Sequence, residues 1–141
     1  MTDDIETIRE AKRERLQRTL REQAAGTAET EGRETPREPV HVRGAEELSA
    51  LVADGGVVLV DFYADWCGPC KMLEPTVEAL AAETPATVAK VDVDVDQALG
   101  AEYGVRGVPT LLLFAGGQPV ERVVGVRDRD TLERLIDQYA A

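Results

Sequence analysis

Lysine, histidine and cysteine are scarce in this 141-residue chain, and long apolar runs are missing. Two cysteines and a single histidine, His41, in a different segment fall short of the roughly four ligands a zinc site needs. No stretch reaches the about 18 apolar residues of a membrane-spanning helix, and the N-terminus is charged where a secretory signal would be apolar. Positive charge is also short, with 16 Lys and Arg against 27 Asp and Glu. A surface this acidic repels nucleic acid and anionic membranes, so neither is an expected partner. A cytoplasmic location is the expectation. In a reducing compartment a cysteine pair serves catalysis more often than structure. No metal and no cofactor are expected.

The acid is concentrated in one part of the chain. Residues 1–38 hold 10 acids and 8 bases, and residues 39–141 hold 17 acids and 8 bases. Three of the bases are lysines (Lys12, Lys71 and Lys90) and the other 13 are arginines. Such a composition resembles that of proteins from salt-accumulating halophiles, where dense surface acid maintains solubility. An ordinary acidic soluble protein is the alternative.

Two regions separate by composition. Residues 3 to about 24 read as one exposed helix, with Asp3, Asp4 and Glu6 at its start and Arg18 and Arg21 at its end, as the helix dipole favours. Its apolar positions, Ile5, Ile8, Leu16 and Leu20, are too few for a wide buried face. Its basic residues spread around the wheel among acids, which describes a solvated helix better than a nucleic-acid patch. Ala24 to Pro39 read as a flexible linker. The expected division is therefore 1–38, a charged helix and linker, and 39–141, a folded domain.

The chemistry is concentrated in Cys67-Gly68-Pro69-Cys70. An apolar strand, 57–63, precedes this tetrapeptide and a helix from Lys71 to about Glu83 follows it. At a helix N-terminus, free N–H groups and the dipole favour an anion by roughly 0.3–1 kcal/mol. That lowers a thiol's pKa and points to dithiol–disulfide exchange. A purely structural bridge would close only a four-residue loop, where cross-linking gains least. Counting from Cys70 at helical spacing gives Leu73, Val77 and Leu80, an apolar stripe. Counting from Cys67 gives Lys71, Glu74 and Glu78, a solvated face. Cys67 is thus expected to be exposed and to attack substrate, with Cys70 inward as the resolving thiol.

Around this centre the elements alternate. Short strand Pro39–Arg43 and helix Ala45–Ala53 come first. After the 57–63 strand and the Pro75-containing helix follow strand Thr87–Val93 and helix Asp96–Tyr103. Strand Pro109–Ala115, a Gly116-Gly117 turn and strand Val120–Val124 lead to a last helix capped by Asp128 or Asp130. This is an α/β plan with helices on both faces of a sheet. Asp61 interrupts a strand that is otherwise apolar on both faces. It should therefore be buried, with its pKa raised towards that of a proton acceptor for Cys70.

The run Val60-Asp61-Phe62-Tyr63-Ala64-Asp65-Trp66-Cys67-Gly68-Pro69-Cys70-Lys71 resembles the active-site signature of the thioredoxin family. The segment Tyr103-Gly104-Val105-Arg106-Gly107-Val108-Pro109-Thr110-Leu111 resembles a second family motif. The resemblance spans about residues 39–141. It implies a thioredoxin fold: a five-stranded mixed sheet ordered 1-3-2-4-5, strands 4 and 5 antiparallel to the rest, here with an N-terminal helical extension. It also implies Lys90 beside Asp61, tuning it, and a cis bond before Pro109.

Trp66, Gly68, Pro69, Gly107, Val108 and Gly125 would surround Cys67 with a flat apolar substrate-binding patch. Gly125 also reads as a plain strand-end glycine. Tyr63 departs from the family, which more often has Trp there. The activity implied is general protein-disulfide reduction by a monomer that is re-reduced by a flavin-dependent thioredoxin reductase. A disulfide oxidase or isomerase, or a docking module with little turnover, is the alternative.

Overall fold

The computed structural model describes residues 9–16, 35–54 and 56–140. The chain divides into two units between Glu34 and Thr35. In the first, residues 9–16 are helical (α1). The remainder of the helix expected over 3–24, and the linker before Thr35, lie outside the described residues.

The second unit runs β1 (Val40–His41), α2 (Gly44–Ala53), β2 (Val57–Tyr63), α3 (Gly68–Glu83), β3 (Thr87–Asp92), α4 (Gln97–Glu102), β4 (Thr110–Ala115), β5 (Gln118–Val124) and α5 (Arg129–Ala140). The five strands form one sheet in the order β1-β3-β2-β4-β5. β1, β3 and β2 are parallel, and β4 pairs antiparallel with β2. β5 pairs antiparallel with β4 and therefore runs parallel to β2, which corrects the expectation that both final strands oppose the others. The hairpin turn dictates this. Gly116 and Gly117 both adopt positive φ (60° and 80°), the two-residue turn that reverses the chain between adjacent strands.

β2 is buried on both faces, and alternation along it feeds two cores. Val57 and Leu59 meet Leu73, Val77 and Leu80 of α3 and Leu132 and Ile136 of α5. Val58, Val60 and Phe62 meet Leu48 and Val52 of α2 and Leu99 of α4 on the other side. The α3 stripe counted from Cys70 is buried as expected. Asp96 serves two helix starts at once. One carboxylate oxygen accepts from Gly44 N at 2.5 Å and the other from Leu99 N at 3.4 Å. At the last helix Asp128 stands just before Arg129, and its carboxylate accepts from the Thr131 hydroxyl. Among the described residues no helix is long and apolar enough to cross a membrane.

Candidate active site

The site forms where β2 ends. Tyr63 closes the strand, Ala64-Asp65-Trp66 turn the chain, and Cys67 stands as the N-cap of α3. Its backbone is extended (φ -83°, ψ 110°), and its N–H donates to Ala64 O at 3.1 Å. Helix begins at Gly68, earlier than the Lys71 expected, because Pro69 suits a first turn whose N–H groups have no partners within the helix. The Cys70 N–H points at Cys67 Sγ, 3.1 Å away. Cys67 and Cys70 are bridged as a disulfide, with Cα atoms 5.2 Å apart.

Neither cysteine is exposed in this oxidised form: Cys67 is 3% and Cys70 5% accessible. The expectation of an outward Cys67 is corrected. A cap residue has left the helical path, so wheel counting from Cys67 does not apply to it. Cys67 shares a small buried cluster with Ala64 and Cys70, against which Tyr63, Val93 and Val108 pack. The sulfurs differ by their electrostatics rather than by exposure. Cys67 receives the helix's free N–H, and Cys70 sits within the first turn.

A second loop closes over the pair. The Val108–Pro109 bond is cis, as the resemblance implied. Cys67 Sγ lies 3.7 Å from Val108 O, a contact that can become a weak S–H···O bond only when the sulfur carries a proton. The Thr110 hydroxyl donates to Gly107 O (2.6 Å) and Gly125 N–H donates to Pro109 O (2.9 Å). Gly125 has φ +90°, so a Cβ there would be strained. Trp66, Gly68, Pro69 and Gly107 are exposed and Val108 and Gly125 half-buried. Trp66 is 71% accessible, and its indole N–H donates to Asp94 at 2.8 Å.

Asp61 lies on the α3 side of β2, 1% accessible, and its Oδ1 has no hydrogen-bond partner. Burial raises its pKa to about 6, against the pull of Lys90 and with a further push from Glu74. Lys90 is directly across the parallel ladder from Asp61 and buried. It forms an ion pair with Glu74 at 3.1 Å and stacks on the Tyr63 ring, 4.3 Å from its centroid. Sequence reasoning placed Glu74 on the solvated face and missed this contact. The available signal was its place one helical turn after Cys70, over Asp61. Asp94 was missed too, being 28 residues from Trp66 with no local pattern linking them.

Residues 39–138 match the family model described as Thioredoxin. A thioredoxin of Chlamydia caviae is 48% identical over 102 residues, covering 72% of this chain and 99% of that protein. A Staphylococcus aureus thioredoxin is 47% identical over 88 residues, 61% of this chain and 85% of that protein. Among solved structures, a mutant thioredoxin from Halobacterium salinarum superposes with a TM-score of 0.75 at 59% identity, covering 78% of this chain and 97% of that one. In that likeness the chain is halophile-like. With a bridged Cys-Gly-Pro-Cys pair at the mouth of α3 and these relatives, the chain belongs to the thioredoxin family, oxidoreductases that act on protein disulfides by dithiol–disulfide exchange.

Proposed function

We propose that the chain is a general protein-disulfide reductase in which Cys67 attacks, Cys70 resolves and Asp61 accepts the proton. The Cys67 thiolate attacks one sulfur of a substrate disulfide. The substrate S–S bond breaks, a mixed disulfide forms, and the other substrate sulfur leaves as thiolate. The Cys70 proton passes to the Asp61 carboxylate. The Cys70 thiolate then attacks Cys67 Sγ, closing the 67–70 bridge and releasing the second substrate sulfur with the electron pair. The substrate is reduced and the protein oxidised.

The observation that carries this reading is the Cys70 N–H aimed at Cys67 Sγ, which favours negative charge on that sulfur. An extended substrate segment would pair with the backbone of Val108 ahead of Pro109 while Trp66, Gly68, Pro69, Gly107 and Gly125 frame the sulfur. Lys90 tunes Asp61. Residues 39–141 are the redox domain and 1–38 an extension. The protein works as a cytoplasmic monomer and takes its electrons from a flavin-dependent thioredoxin reductase, the partner this family implies.

Reduction of insulin disulfides by dithiothreitol, followed by turbidity, tests the assignment. Cys67→Ser should abolish the acceleration, and Cys70→Ser should accumulate a mixed disulfide visible by mass spectrometry. Acceleration retained in Cys67→Ser would remove the proposed nucleophile. A measured reduction potential of the pair separates reductase from oxidase.

A further inference from the structure

Asp61 and Lys90 face each other across the β2–β3 ladder, yet the ammonium is engaged elsewhere. Glu74 of α3 holds it at 3.1 Å, and the Tyr63 ring lies 4.3 Å from the same nitrogen. Lys90 is only 7% accessible, so it has little water to turn to. Asp61 Oδ1 is left buried and without a hydrogen bond. Glu74 is half exposed, with 51% of its side chain accessible, one turn along α3 from Cys70.

We propose that Glu74 is a positioning residue for the redox centre: by holding the Lys90 ammonium it leaves Asp61 free to take and release a proton. The inference rests on the reading of Asp61 as the proton acceptor.

A bare ammonium opposite a buried carboxyl would keep that carboxyl ionised far below neutral pH, and a carboxylate so stabilised is a weak base for a thiol. Adding the Glu74 carboxylate turns the ammonium into a pair of small net charge. Burial then governs Asp61. Its titration near 6 has this origin, with Lys90 lowering it and Glu74 raising it.

The charges that act on Asp61 itself are these two, and the Asp92 carboxylate beyond Lys90 accepts from the backbone N–H groups of Asp94 and Val95. On the same face of the sheet β4 presents Leu111, and α5 presents Leu132 and Ile136, all apolar. The α3 helix adds Cys70, whose proton is the one at issue. Tyr63 of β2, His41 across the ladder on β1 and Asp92 of β3 flank Lys90. The phenol of Tyr63 is held above its ordinary pKa and stays neutral near pH 7.

The test is the Asp61 carboxyl titration, followed by carbon-13 NMR in the full chain. Glu74→Gln should lower the midpoint by roughly half a pH unit or more. Lys90→Met should raise it, and the double variant should fall between the two. Glu74→Asp keeps the charge but shortens the reach, and should give a midpoint between those of Glu74→Gln and the parent. The rising limb of the insulin-reduction rate against pH should move down with the midpoint in Glu74→Gln. A merely structural Glu74 would alter unfolding without moving either curve. Midpoints equal to the parent's in both Glu74 variants overturn the proposal. A midpoint that moves while the rate profile stays still leaves the coupling standing and removes Asp61 from proton transfer.

Discussion

At Asp61 the usual sign of carboxylate stabilisation is reversed. A carboxyl that titrates near 6 in the folded chain, against 3.8 ordinarily, binds its proton more tightly when folded. Its charge therefore opposes folding. That cost is absent below about pH 4, grows as pH rises, and is complete above about pH 6, at roughly 3 kcal/mol. Asp61→Asn should raise stability at pH 7 by on the order of 2–3 kcal/mol and change it little at the acid end, read as urea midpoints at the two pH values. The same substitution should slow disulfide reduction at neutral pH. A variant no more stable than the parent at pH 7 would mean that water reaches the carboxylate. Asp61 was legible in the sequence because one acid in an apolar strand is conspicuous. The burial of Cys67 was not, since side-chain periodicity describes residues inside a helix and says nothing of its cap. Glu74 was hidden for another reason: an acid on a solvated face acquires its role only from a lysine 16 residues away.

At the scale of elements, α3 does two jobs with one repeat. The spacing that buries Leu73, Val77 and Leu80 also fixes the rotation that turns Cys70 inward above β2. Leu73 is fully buried among both helices of that face. Leu73→Ala should therefore cost about 2–5 kcal/mol, measured as a lowered denaturant midpoint. A midpoint equal to the parent's would show that the core refills without loss. The order and type of these elements were readable because apolar periodicity switches cleanly between two and about 3.6 residues. Element ends were less so: the helix expected from Lys71 starts at Gly68, and the strand expected from Val120 starts at Gln118. Cap and edge residues have no periodicity to betray them. The direction of β5 was misjudged from resemblance, although its own glycine turn already required reversal relative to β4.

For the whole molecule, charge and chain length each make a prediction. A relative that aligns over 99% of its own length matches 102 residues of this chain, so a domain of this size exists elsewhere without the extension. Residues 39–141 alone should keep the insulin-reduction rate of the full chain. A lost rate with the fold intact would assign the extension a part in turnover. The net charge of -11 sets the second expectation, because like charges at this density repel and salt screens them. The thermal midpoint should rise between low and molar salt, and equal midpoints would end the halophile reading. Finally, the chain has one tryptophan, and it stands in the open beside the sulfur bridge, tethered by its indole nitrogen to Asp94. Excited at about 295 nm, where the three tyrosines absorb little, the protein carries a single lamp mounted on the rim where electrons change hands, and a brightness that differs between the bridged and the dithiol form would follow turnover in real time with no dye attached.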